Sequence, residues 1–169
     1  MKMTKDRLLW WGTVMLAVAT LGGCGYTTKR PFPESVGTVY VDMFQSKEFR
    51  REIEMRLTEA VRKRIDMDTD YRNAPRNRAD SVLTGEVKEF RVTAFADDFR
   101  TGLPREKVGQ LIVSFRWKDI RTGRILAENP NLIQSASYVP SLGETEFDGL
   151  SKAIDDIAER IVESMETTW

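Results

Sequence analysis

The sequence contains no histidine and a single cysteine, Cys24, among its 169 residues. Without histidine, the commonest general base, the usual nucleophile–base pairs and most zinc sites are unavailable. One cysteine cannot build a disulfide framework. Carboxylate chemistry survives that filter, but the adjacent pairs Asp97-Asp98 and Asp155-Asp156 place their side chains on different faces of a strand or helix and make poor acid and base partners. No glycine-rich phosphate loop is present: LGGCG at 21–25 follows an apolar run, and TGLP at 101–104 and RTGR at 121–124 read as turns. Neither sign of charge dominates, with 26 basic and 26 acidic residues, so nothing marks a nucleic-acid binder. These absences argue against an enzyme, and no catalytic residue, metal ligand or cofactor is expected.

What is present begins at the N-terminus. Lys2, Lys5 and Arg7 stand against one acid, Asp6, and residues 8–21 are then almost wholly apolar up to Gly22-Gly23. Basic n-region, apolar h-region and small residues at the end make a secretory signal. The apolar run of about 14 residues falls short of the roughly 18–20 that an uninterrupted span requires. Leu21-Gly22-Gly23-Cys24 resembles the bacterial lipobox, which implies cleavage before Cys24 and acylation of its thiol, an attachment that needs no partner cysteine. Several buried acyl methylenes at about 0.8 kcal/mol each make a stable membrane anchor. Gly25 follows the cysteine where an aspartate would mark inner-membrane retention, so the resemblance points to the outer membrane. Residues 1–23 are therefore expected to be signal peptide, 24–35 a lipidated tether, and 36–169 a single domain. Removal of the signal takes three basic residues and one acid, leaving a slight acidic excess.

YTTKRPFPES at 26–35 holds two prolines and no period, as an extended tether would. VGTVYVDMF at 36–44 alternates Val39, Val41 and Met43 with Tyr40 and Asp42, the pattern of a short strand. Ser46 is placed to cap a helix in which Phe49, Ile53, Leu57, Val61 and Ile65 form one apolar stripe, with Glu52–Arg56 and Glu59–Lys63 on the outer face. Residues 66–80 read as a loop, with Arg72, Arg76 and Arg78 either solvated or facing an anionic group. Residues 81–95 read as a long strand with a bulge at Gly85 or near Glu89-Phe90. Residues 97–106 read as a link to a clearer strand, where Leu111, Val113, Phe115 and Trp117 face one way and Gln110, Ser114, Arg116 and Lys118 the other. RTGR turns into a strand at 125–139 that Pro130 marks as an edge strand or an interrupted one. The final helix carries Phe147, Leu150, Ile154, Ile157, Ile161 and Met165 on one stripe, with Gly149 its weak interior position and Ser141 with Glu144 as a capping box.

The order β-α-β-β-β-α, with two amphipathic helices and a sheet apolar on one side only, predicts an α+β two-layer sandwich: about four strands in a mixed sheet with both helices on one face. The open sheet face stays wet or meets a partner. Its basic side chains and those of its turn, Arg116, Lys118, Arg121 and Arg124, are the candidate contacts for lipid phosphate or for a protein partner.

CGY at 24–26, VYVDMFQSKEFRREIEMRLTEAVRKRI at 39–65, ADSVLTGEV at 79–87 and KDIRTGRIL at 118–126, behind a lipobox and before a final amphipathic helix, resemble the LptE family of lipopolysaccharide-assembly lipoproteins. The resemblance implies a non-catalytic plug and assembly partner of a large outer-membrane β-barrel of the LptD type, lipid-anchored on the periplasmic face and in contact with lipopolysaccharide. A polar exterior suits that role, because the lumen of a wide barrel is polar. A second reading is a periplasm-facing lipoprotein that activates a cell-wall synthase or self-associates into part of an export pore. Ring formation predicts a long exposed apolar segment, which the sequence does not show.

Overall fold

The computed structural model describes residues 36–46, 51–97 and 104–166. The proposed signal, Cys24, the tether and Phe49 lie outside these residues. The chain runs β1 (Thr38–Val41), β2 (Gln45–Ser46), α1 (Arg51–Asp68), β3 (Arg72–Asn73), β4 (Ser81–Asp97), β5 (Pro104–Asp119), β6 (Ile125–Tyr138), a 3-10 turn (Pro140–Leu142) and α2 (Glu146–Glu163). The α+β class and the mixed sheet are as expected, but the sheet has six strands rather than about four, in the order β3-β1-β4-β5-β6 with β2 also on β4. The additional strands are two-residue pieces, too short to show a period in sequence. Ser46 belongs to one of them, β2, paired with Val87, and residues 47–50, where it is expected to cap a helix, lie outside the described residues. Arg72 and Asn73, read as loop, form the other beside β1. β1 is parallel to β3 and β4, whereas β4, β5 and β6 form an antiparallel meander.

One face of the sheet is dry. Val39, Val41, Leu83, Val87, Leu111, Val113, Phe115 and Trp117 are buried against Ile53, Leu57, Val61 and Ile65 of α1 and Leu150, Ile154, Ile157 and Ile161 of α2, in one continuous core. Each helix thus spends its stripe on the same side of the sheet. Of the predicted link at 97–106, Asp97 ends β4 and residues 104–106 open β5, while 98–103 lie outside the described residues. The bulge falls between Val87 and Glu89, while Gly85 stays in register opposite Phe115. β6 is an edge strand, and its register breaks opposite Val113–Phe115, at Pro130, so both readings of that proline hold.

Three local details depart from the sequence pattern. In β1 the alternation stops at Val41: Met43 is exposed and Phe44 turns inward. Phe44 donates its N–H to the Thr58 hydroxyl of α1 at 3.1 Å, and that hydroxyl donates in turn to the Glu54 carbonyl at 2.7 Å. The capping box of α2 is Thr145 with Asp148, not Ser141 with Glu144, because Pro140–Leu142 closes a separate turn first. Glu144 instead accepts the Val139 N–H at 2.7 Å and pairs with Lys152 at 2.9 Å. Phe147 leaves the stripe and lies 58 % exposed. The Arg56 guanidinium covers its ring, 4.1 Å from the centroid, and also donates to Ser151, so Arg56 bridges the helices rather than only facing Glu52.

Two polar devices fasten β1. Trp117 Nε1 donates to Ser81 Oγ at 2.9 Å and Ser81 Oγ donates to the Thr38 carbonyl at 3.0 Å, joining three adjacent strands beneath the Tyr71 ring. Asp80 Oδ2 accepts the Thr38 hydroxyl at 2.7 Å, the Thr38 N–H at 2.9 Å and the Gly37 N–H at 3.1 Å, and the Asp80 N–H returns a bond to Thr38 Oγ1 at 2.9 Å. The Thr38 hydroxyl first, then the Gly37 N–H, hold the Asp80 carboxyl below the usual carboxylate range. A carboxyl depressed in the fold stabilises it above the unfolded pKa near 4, and that contribution is lost as pH falls below it. Asp80→Asn is expected to cost about 1 kcal/mol at neutral pH, with the gap to the parent closing as the pH approaches 3; urea titrations at several pH values check this.

Candidate functional site: the open face of the sheet

The outward residues of β5 are Gln110, Ile112, Ser114, Arg116 and Lys118, all polar except Ile112. At their middle lies a shallow groove of about 640 Å³, lined by Asp42, Glu86, Lys88, Ser114, Arg116 and Glu128 among others. Two long side chains cross it. Arg116 Nε meets Glu128 Oε2 of β6 at 3.0 Å. Lys88, the bulged residue of β4, donates to Asn131 Oδ1 at 2.8 Å, reaching over β5 to the irregular segment of β6. The bulge aims Lys88 there: an extra residue on one strand re-directs the side chain it carries. Three carboxylates and two cations make the groove mixed in charge, better suited to a polar protein surface than to an isolated anion.

The four predicted contact residues share one hairpin but not one pocket. Arg116 lines the groove and is neutralised there by Glu128, a partner from a different strand. Lys118, Arg121 and Arg124 are exposed at the turn end. The sharp β5–β6 reversal places Gly123 at φ +74°, a left-handed conformation that favours glycine. Asp119, 4 % exposed, organises this turn: its Oδ1 accepts the Arg121 N–H at 2.8 Å and the Thr122 N–H at 3.0 Å. The Thr122 N–H in particular holds the Asp119 carboxyl below its ordinary range. The turn abuts the loop that carries Arg76 and Arg78, because the Ile120 N–H donates to the Asp80 carbonyl at 2.9 Å. Sequence reasoning missed Lys88 as a groove residue and Asp80 as the fastener of this end. The first lay next to the suspected Glu89-Phe90 bulge and the second within the ADSVLTGEV stretch, but neither partner is near in sequence.

Among the described residues no group of His, Cys, Asp and Glu is placed to hold a metal ion, and no helix is long and apolar enough to cross a membrane. Asp155 and Asp156 are both exposed on α2, and Asp98 lies outside the described residues.

Solved structures share this fold. An uncharacterized lipoprotein B from Nitrosomonas europaea superposes with a TM-score of 0.55 at 13 % identity, covering 84 % of this chain and 90 % of that one. PelC, a dodecamer from Paraburkholderia phytofirmans, gives 0.53 at 16 % identity over 83 % and 96 %. A hypothetical protein from Chlamydia trachomatis gives 0.52 at 14 % over 77 % and 98 %. At such identities the likeness is one of fold alone. No curated protein sequence matches this chain. The family described as LptE, lipopolysaccharide-assembly, matches residues 36–166, the whole span from the first described residue to the last. By that match, laid over a two-helix, one-faced sheet, the chain belongs to the LptE lipopolysaccharide-assembly family.

Proposed function

We propose that this protein is a non-catalytic outer-membrane lipoprotein, anchored through acylated Cys24 at the periplasmic face, that partners a large LptD-like β-barrel and contacts lipopolysaccharide. The family match over residues 36–166 carries this reading. The polar open face supports it, since a domain seated in an aqueous barrel lumen must present polar groups outward. Arg116, Lys118, Arg121 and Arg124 are the proposed contacts, with Arg116 and its Glu128 partner facing protein and the turn residues facing phosphate.

The test is a mild-detergent affinity pull-down of the natively lipidated protein, with mass spectrometry of what remains bound. One large β-barrel at near-equal stoichiometry is expected. A cell-wall synthase, or only further copies of this chain, would overturn the barrel-partner reading. Cys24→Ser should abolish outer-membrane fractionation, either releasing the protein or stalling it with its signal attached; unchanged fractionation would remove the anchor. Replacing Arg116, Lys118, Arg121 and Arg124 together by alanine should leave the domain folded, at about 0.5 kcal/mol or less per exposed side chain, yet weaken binding to immobilised lipopolysaccharide. Undiminished binding would retire those four residues as the lipid contact.

A further inference from the structure

β6 closes the antiparallel side of the sheet, and among the described residues no strand lies against its outer edge. An open edge presents a row of unpaired N–H and C=O groups, and folds guard such rows with brevity, charge, proline or a bulge. The other borders of this sheet are guarded in those ways. β2 and β3 are two residues long. β4 beyond its pairing with β2 follows a bulge and carries Glu89, Arg91 and Asp97, and β5 before Lys107 opens on Pro104, Arg105 and Glu106. The first half of β6 has Glu128, Pro130 and the register break. From Asn131 to Tyr138 every guard is missing: NLIQSASY has no charge, proline or glycine, and Leu132 to Tyr138 pair residue for residue with Val113 to Lys107.

A groove of about 450 Å³ adjoins the same stretch, between the edge and the last turns of α2, lined by Leu132, Ile133, Gln134, Arg160, Glu163 and Ser164. Alternation puts Leu132, Gln134, Ala136 and Tyr138 on the helix side and Ile133, Ser135 and Ser137 on the open face. A strand laid along the edge therefore points alternate side chains into the groove. The charges there already meet each other, Arg160 to Glu163 at 3.1 Å, so the groove suits uncharged side chains. On the other face the apolar pair Ile112 and Ile133 stops at the edge, with Ile133 49 % exposed, which favours an apolar neighbour on the added strand.

We infer that Asn131–Tyr138 is a docking edge for an extended, uncharged segment of the barrel partner, which joins the six-stranded sheet as one more strand. The inference rests on the barrel-partner reading above and specifies the conformation of the partner segment. A row of backbone donors and acceptors is matched by another extended backbone, and eight residues offer about 25 Å of ladder. The wall of a closed barrel has no free edge, because each of its strands is paired on both sides, so the segment comes from a loop or terminus that enters the lumen. Pairing at the edge leaves the open face and the turn arginines available for the contacts assigned to them.

The test keeps the acylated full chain in its native membrane and places the photoreactive residue p-benzoylphenylalanine singly at Ile133, Ser135 or Ser137. Cross-links formed on illumination are mapped by mass spectrometry after the mild-detergent pull-down. Strand addition predicts cross-links from all three positions to one partner segment, stepping about two residues from each probe to the next. Ile133→Lys with Ser135→Lys, charges of the kind that guard edges, should lower recovery of the barrel about tenfold or more with the circular dichroism spectrum unchanged. Cross-links scattered over the barrel, or a recovery that the two substitutions leave intact, overturn the docking edge while leaving the barrel partnership in place. Cross-links to β6 of a second copy overturn it in favour of self-pairing. A pull-down without any barrel removes the barrel-partner reading and the proposed occupant of the edge with it.

Discussion

Trp117→Ala is expected to remove about 4 kcal/mol of folding stability, a large fraction of the 5–15 kcal/mol typical of a domain. Trp117 is 1 % exposed and is the largest fully buried side chain among the described residues. It lies on the dry face near the turn end of β5, its ring 5.5 Å from that of Tyr71, and its burial leaves little freedom for collapse into the vacated volume. The cost of a large-to-small change grows with the cavity that remains. A second loss adds to it, because Ser81 Oγ gives up the indole N–H that it accepts and the Thr38–Ser81–Trp117 chain loses its last member. Trp117→Phe should separate the two effects, keeping most of the packing while deleting the hydrogen bond, at about 1–2 kcal/mol. Urea unfolding of the parent and both variants, followed by far-ultraviolet circular dichroism, measures this; an unchanged midpoint for Trp117→Ala would contradict the packing described here.

Gly85→Ala should destabilise by about 3 kcal/mol even though alanine is the better strand residue in isolation. A Cβ at Gly85 would stand 2.1 Å and 2.5 Å from two ring carbons of Phe44 and 2.8 Å from the Ser114 carbonyl oxygen. Phe44 is 1 % exposed and tethered through its own N–H to Thr58, so its ring has no space into which to retreat. A double-mutant cycle identifies the cause. Phe44→Ala alone costs about 3–5 kcal/mol, but beside it Gly85→Ala should cost much less, since the ring that it strikes is gone. Additive costs would mean that the Ser114 carbonyl, not Phe44, sets the requirement for glycine. Gly109 offers a contrast: its Cβ would approach the far edge of the Phe90 ring at 3.1 Å, a contact that a small ring movement relieves.

The parts of this fold that were legible in sequence are those in which one period governs a long segment. Ile53, Leu57, Val61 and Ile65 form the buried stripe of α1, and Leu111, Val113, Phe115 and Trp117 form the buried row of β5, both as read. The parts that were not legible are fixed by partners distant in the chain. Nothing near Phe44 shows that Gly85 will open a space for its ring, or that the alternation of β1 will stop at Val41. Phe147 keeps the helical spacing of the α2 stripe yet lies outside the core, because Arg56 of the other helix supplies its cover. The candidate site divides in the same way. Arg116 faces outward as alternation requires, but its neutralisation by Glu128 depends on how β6 registers after the break at Pro130. The proximity of the Arg121–Arg124 turn to the Arg76–Arg78 loop is a property of topology, since it arises from β1 and β4 lying parallel with β5 alongside.

That parallel pairing also governs how the chain must emerge. Thr38 and Asp80 are 42 residues apart, with the whole of α1 between them, so the first strand to be made has no partner until the two-residue β3 and then β4 arrive. A chain presented N-terminus first exposes Val39 and Val41 throughout that interval, while an unpaired apolar strand is an invitation to intermolecular pairing. Restricting β1 to four residues limits the hazard: the segment is long enough to be clamped at one end by Asp80 once the meander is in place, and too short to recruit a wrong partner of its own beforehand.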